Sequence, residues 1–158
     1  WLSDILDSKC RLVYMPDETQ RFVDRSYAAQ NEIVSFADAY PFLIIGQSSL
    51  DDLNSRLEEK LEMNRFRPNL VFSGGEPYEE DSWKKFRIGD IIFEAVKPCS
   101  RCSTITVDQE TAEVTAEPLK TLATYRAVDN KVMFGMNLVH EGNGKVNVGD
   151  EIVVLEKK

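Results

Sequence analysis

A mainly β domain, with its sheet curled toward a barrel and a few helices flanking it, is the fold class this sequence predicts, and three observations carry it. An apolar-Gly-Asp-x-apolar device occurs twice, in Phe86-Arg87-Ile88-Gly89-Asp90-Ile91-Ile92-Phe93 and in Val146-Asn147-Val148-Gly149-Asp150-Glu151-Ile152-Val153-Val154. Each copy reads as a tight hairpin, and such corners suit a closed or strongly curved antiparallel sheet. The other apolar runs are short and end at Pro or Gly, and helical spacing is clear in only one stretch.

Taken in order, Leu2 to Leu6 makes an apolar, helix-like beginning. Arg11 to Met15, Phe22 to Asp24 and Glu32 to Phe36 are short apolar pieces with polar breaks, read as strands or edge pieces. Phe42-Leu43-Ile44-Ile45, between Pro41 and Gly46, is a buried strand. Ser49 with Asp52 forms a capping-box-like start to a helix whose Leu50, Leu53, Leu57 and Leu61 recur on one face. Leu70 to Phe72 continues as a strand ending at Ser73-Gly74-Gly75, and the first hairpin's second arm runs on through Val96. Thr104 to Val107 is a further strand, and Glu117 to Arg126 a second helix with Pro118 where a first turn tolerates it.

With 158 residues, 42% hydrophobic and 29% charged, the chain has the makings of one well-packed domain. No apolar run approaches the roughly 20 residues that span a bilayer, and nothing resembles a secretory signal. We expect no membrane association. A net charge of −8 argues against a phosphate-backbone binder, so no nucleic-acid partner is expected and any anionic ligand must find a local basic pocket. Three cysteines, an odd count, fit a reducing compartment, of which the cytoplasm is the simplest. The opening at Trp1 suggests a piece of a longer protein.

Two thiols and a guanidinium share the stretch Lys97-Pro98-Cys99-Ser100-Arg101-Cys102, between two expected strands, where binding groups tend to sit. A cysteine acts as ligand or nucleophile only as thiolate, and neighbouring Arg101 and Lys97 favour that form. Three other readings compete: a zinc site that would need Cys10, Cys99, Cys102 and His140 together, a redox C-x-x-C, and two packed thiols. Upstream, Arg65 and Arg67 stand two apart ahead of Pro68 and share a face if extended; with Arg101 they would form an anion pocket. The competing reading pairs each with one of the 27 acidic residues. His140, the lone histidine, reads as an ordinary strand or loop residue.

Asn-Arg-Phe-Arg-Pro-Asn-Leu-Val at 64–71, Glu-Asp-Ser-Trp at 80–83, Ile-Gly-Asp at 88–90, Lys-Pro-Cys-Ser-Arg-Cys at 97–102 and Glu-Pro-Leu-Lys-Thr-Leu at 117–122, in that order, resemble the MOSC domain. More narrowly they resemble the YcbX-type proteins and the mitochondrial amidoxime-reducing components, over about Ile33 through Leu155. The resemblance implies a MOSC-type β-barrel that binds the molybdenum-molybdopterin cofactor, with Cys102 as the sulfur ligand to molybdenum and the catalytic cysteine. It further implies that Arg65, Arg67, Ser100 and Arg101 hold the pterin and its phosphate, that Asp38 and Ala39 form another wall, and that Asn137 of Phe134-Gly135-Met136-Asn137 reaches the cofactor. A pyridoxal-phosphate association also attaches to the wider family.

The activity implied is reduction of small N-hydroxylated compounds: hydroxylamines, amidoximes or N-hydroxylated bases. Electrons would come from a redox partner or ferredoxin-like domain, a 2Fe-2S cluster lying only in such a partner or in a domain outside these residues. The family's N-terminal β-rich region also lies outside them, so residues 1–158 are expected to be a single MOSC domain of a longer chain. Two further readings stand beside this one, a sulfur carrier or cofactor-delivery module using a Cys102 persulfide, and a zinc-stabilised β-domain without catalysis.

Overall fold

Seven strands form one mixed sheet in the computed structural model, which describes residues 1–23, 26, 33–37 and 39–158. They are β1 (Phe42–Gly46), β2 (Leu70–Phe72), β3 (Trp83–Ile88), β4 (Ile91–Arg101), β5 (Ala127–Val128), β6 (Lys131–Glu141) and β7 (Ile152–Lys157). The path across the sheet is β2-β1-β6-β4-β3-β7, with β5 on the end of β6. Only β1 and β2 run parallel; the other pairs are antiparallel. The sheet curls into a half-barrel, and three short helices flank it: α1 (Leu2–Ile5), α2 (Gln47–Asn54) and α3 (Leu119–Ala123).

Neighbouring residues on a strand face opposite sides, and Ile44 and Ile45, both fully buried, show what lies on each. Ile44 joins Phe72, Trp83, Phe86, Phe93, Met136 and Leu138 in a layer drawn from β2 through β3. Ile45 joins Phe66, Ile105 and Phe134 in a second layer, which Leu50 and Leu53 of α2 and Leu122 of α3 cover. A smaller cluster packs Val23, Val34 and Tyr40 on Val139, with Ala37 and Val96 at its edge.

The strands at 42–46 and 70–72 and the hairpin at Gly89-Asp90 stand where the sequence puts them. Other expectations are corrected. Among the described residues, the segment Arg11–Met15 has no strand partner, and the next two segments show a single bridge, Phe22 with Ile33; Asp24 and Glu32 lie outside the described residues. The second Gly-Asp device is a turn without a first arm: Val146 and Val148 are exposed and unpaired, and only β7 follows. Thr104–Val107 yields a 3-10 turn over Ser103–Thr106, where Thr106 donates its hydroxyl to the Ser103 carbonyl, 2.7 Å away. The second helix covers only Leu119–Ala123 of the expected Glu117–Arg126.

Helix α2 starts at Gln47, ahead of the expected start, because Gly46 rather than Ser49 is its N-cap residue. The Ser49 hydroxyl is buried and donates to the Glu80 carboxylate at 2.9 Å, while accepting the Tyr78 amide at 2.8 Å. The helix also stops at Asn54, whose side chain closes the following loop by bonding both the amide and the carbonyl of Leu61, each at 2.9 Å. Leu57 and Leu61 therefore reach the second layer from a loop. Among the described residues no helix is long and apolar enough to cross a membrane.

Candidate functional site

The strand β4 decides the geometry of the cysteine stretch. It runs past Val96 and through Pro98 to Arg101, paired with β6 throughout, so Cys99, Ser100 and Arg101 sit on a strand rather than in the expected loop. Register shifts at Ala95/Lys97 and Pro98/Ser100 mark the bulges that absorb the proline's missing donor. Cys102 follows in extended conformation and leads into the 3-10 turn. Three steps of extended chain separate the two thiols' backbones by about 10 Å, beyond disulfide reach. Both are free, and a redox C-x-x-C at a helix start is not what forms.

The two cysteines have different surroundings. Cys99 is half-buried, and its Sγ accepts from Arg101 Nη1 at 3.2 Å. Cys102 is exposed, with the Thr104 hydroxyl 3.2 Å from its Sγ. That hydroxyl first, then the backbone amides and the Arg101 charge, holds the Cys102 thiol below the ordinary thiol range against the opposing effect of partial burial.

Arg101 is tied down: besides Cys99 it donates through Nη2 to the Phe66 carbonyl at 2.7 Å, and its buried Nε has no hydrogen-bond partner among the described residues. Phe66 closes a 3-10 turn, Met63–Phe66, and is fully buried against Phe134, ring centroids 4.5 Å apart. Arg65 within that turn is only 11% exposed and pairs with Asp108 Oδ2 at 2.5 Å. For Arg65 the acidic-partner reading is the correct one. Arg67 differs. It is exposed and takes left-handed backbone (φ 54°); its amide donates to the Asn64 carbonyl at 3.1 Å, while its guanidinium makes no ion pair or hydrogen bond among the described residues. Arg65 and Arg67 thus do not share an extended face, because the chain turns between them.

Asn137 lies in the middle of β6, opposite Leu43 on one side and Lys97 on the other. Asn69 exchanges hydrogen bonds with Leu43, so the chain just after Arg67 abuts the row carrying Asn137. The cluster of Val96 and Val139 with Ala37 and Tyr40 brings the exposed Ala39 to the neighbouring stretch of sheet; Asp38 lies outside the described residues. Ser100 and Asn137 thus stand on the paired strands β4 and β6, Cys102 follows the end of β4, Ala39 precedes the cluster on Val139, and Arg65 and Arg101 hold the turn ahead of Arg67.

The zinc ligand set does not assemble. Cys10 bonds Ser3, and His140 packs edge-on to Phe42 with centroids 5.3 Å apart. No group of three or more His, Cys, Asp or Glu suited to a metal occurs among the described residues. Two clefts, of about 690 Å³ beside Arg65 and Asp108 and about 870 Å³ between β2 and β7, are both lined without Cys102. Three residues that matter to this geometry went unassigned in the sequence: Thr104, Asn69 and Asp108. Only Asp108 has a local signal, an Asp followed three residues later by Thr111, whose amide and hydroxyl it accepts as an Asx turn.

A family model, MOSC domain, matches residues 31–153. The chain belongs to the MOSC domain family. Human mitochondrial amidoxime-reducing component 1 is 43% identical over 131 residues, covering 77% of this chain and 39% of that protein. The mouse protein of the same name is 38% identical over 168 residues, covering 98% of this chain and 49% of that protein. Molybdenum cofactor sulfurase of Arabidopsis thaliana is 37% identical over 174 residues, covering 96% of this chain and 21% of that protein. This MOSC domain thus spans less than half the length of each of these relatives.

Proposed function

We propose that this MOSC domain holds a molybdenum cofactor through Cys102 and belongs to an enzyme that reduces N-hydroxylated compounds. The observation that carries the reading is Cys102 itself: an exposed thiol, favoured as thiolate, at the end of a strand that is hydrogen-bonded along its length. A soft thiolate outside any cluster of metal-ligating side chains among the described residues suits molybdenum. The Arg67 guanidinium, exposed and without an ion pair among the described residues, suits a pterin phosphate. The buried Arg101 Nε, which lacks a partner among the described residues, is a further donor next to Cys102 in the chain.

When bound, the cofactor supplies a two-electron reduction that removes the oxygen of an N–OH group. The chain's residues do the rest. Thr104 favours the thiolate form of Cys102, Arg67 takes the phosphate, and Ser100 and Asn137 offer neutral hydrogen-bonding groups to the pterin. Arg101 and Arg65 hold the turn that carries Arg67 rather than gripping the anion themselves. Asp38 and Ala39 would contribute another part of the pocket, as the resemblance implies. Electrons come from a redox partner or a 2Fe-2S domain, and the substrates are small hydroxylamines, amidoximes or N-hydroxylated bases. Free thiols fit a reducing compartment, the cytoplasm being the simplest.

A second reading, transfer of sulfur through a Cys102 persulfide or delivery of the cofactor, is favoured by the similarity to the plant protein named molybdenum cofactor sulfurase. Metal content separates the two. The full-length protein, made in a host that synthesises the cofactor, is expected to carry near-stoichiometric molybdenum and to lose it on Cys102→Ser. Full-length protein free of molybdenum, with a persulfide mass on Cys102, would establish the second reading instead.

A further inference from the structure

Arg67 sits in a backbone conformation that L-residues adopt at a cost, and the loop that imposes it is fastened at both ends. Ahead of Arg67, Arg65 is paired with Asp108, Gln109 Nε2 donates to the Asn64 carbonyl at 2.8 Å, and Arg101 donates to the Phe66 carbonyl. Behind it, the Leu43 amide donates to Asn69 Oδ1 at 2.8 Å, and the Asn69 amide donates to the Leu43 carbonyl at 2.9 Å. Asp108 divides its oxygens: Oδ1 accepts from the Glu110 and Thr111 amides and the Thr111 hydroxyl, at 3.0, 2.9 and 3.1 Å, while Oδ2 faces Arg65. The turn thus fixes the carboxylate, the carboxylate fixes Arg65, and Arg65 fixes the turn in front of Arg67.

We propose that Asp108 and Asn69 are positioning residues for Arg67, clasping the two ends of its loop so that its guanidinium is presented, already ordered, to a phosphate monoester. This rests on the reading above that Arg67 takes the cofactor's phosphate. The chemical logic is preorganisation: a guanidinium whose backbone is already fixed pays less ordering entropy on binding. Asp108 has a second effect. By occupying Arg65 in an acidic chain it leaves Arg67 as the arginine of the 64–69 motif that has no ion pair among the described residues.

The test uses phenyl phosphate as the probe, titrated into the full chain and followed by phosphorus NMR, with wild type, Arg67→Met, Asp108→Asn and the double variant. Asparagine keeps the Oδ1 acceptor of the turn and removes the charge that holds Arg65. Arg67→Met is expected to weaken binding roughly tenfold or more, the scale of a charge-assisted contact, and Asp108→Asn by about three- to tenfold. The double variant should bind no more weakly than Arg67→Met alone, because Asp108 acts only through Arg67. A merely structural role would make the two effects multiply. Asn69→Ala, run through the same cycle, carries the test should Asp108→Asn fail to fold.

Multiplicative effects, unchanged affinity in both Asp108→Asn and Asn69→Ala, or no binding of phenyl phosphate by wild type would overturn the inference. Arg67-dependent, non-additive phosphate binding in a protein that never takes up molybdenum would sink the cofactor reading and leave this one standing.

Discussion

Cys102 and Cys99 lie three residues apart and meet different fates because alternate side chains of a strand point opposite ways. Cys99 shares a side with Arg101 and is bonded by it, whereas Cys102 reaches solvent with Thr104 as its donor. Removing that donor in Thr104→Val should slow iodoacetamide modification of Cys102 at neutral pH by roughly two- to tenfold, the worth of one hydrogen bond, and shift its pH profile upward. Peptide mass mapping, with Cys10 as the internal reference, reads the effect. Glu80 is the other residue whose surroundings set its chemistry. Burial pushes its carboxyl above the ordinary range, against the donors Gly46 N–H and Ser49 O–H. The folded chain therefore holds that proton more tightly than the unfolded chain. Stability from this group is full below the unfolded carboxylate pKa and is lost as pH rises through the elevated folded value. Ser49→Ala, which strips a donor from the ionised form, should cost about 1–3 kcal/mol at neutral pH and less in mild acid, measured by urea unfolding.

At the scale of elements, misreadings cluster where one residue type breaks a pattern that the sheet tolerates. Pro98 reads as the end of a strand, yet β4 continues past it because bulges on either side take up the lost hydrogen bond. Gly135 and Asn137 interrupt the apolar run of β6, and the strand that ends up between β1 and β4 gave no periodic signal of its own. Gly135 is there for space: its φ is +82°, and an added Cβ would lie 2.7 Å from Ile45 Cγ1 and 3.0 Å from the Ile44 carbonyl oxygen. Gly135→Ala should therefore destabilise the fold by about 2–5 kcal/mol, combining left-handed strain with overpacking, as read by chemical unfolding. Conversely, Arg11–Met15 and Val146–Val148 have strand composition and no strand, because β pairing requires a neighbour that local sequence does not supply.

Across the whole molecule, the site hangs on the second apolar layer. Phe134 touches Phe66, at the head of the Arg67 loop, and Tyr78, whose hydroxyl bonds Asp52 of α2 at 2.7 Å. Phe134→Ala should cost about 3–5 kcal/mol in unfolding free energy. In protein that remains folded it should also weaken phenyl phosphate binding, since the turn braced by Phe66 loses its floor. Unchanged binding would separate the core from the site. The sequence by itself determined the class of fold, the strands whose apolar runs are bounded by Pro or Gly, the hairpin at Gly89-Asp90, and the motifs that place this chain in the MOSC family. Those depend on local spacing and on turn chemistry, which neighbouring residues settle. Only the tertiary structure decided which arginine is spent and which is free, which cysteine is exposed, and that β6 lies at the centre of the sheet. Each depends on a partner distant in sequence: Asp108 for Arg65, Phe66 for Arg101, and β1 and β4 for β6.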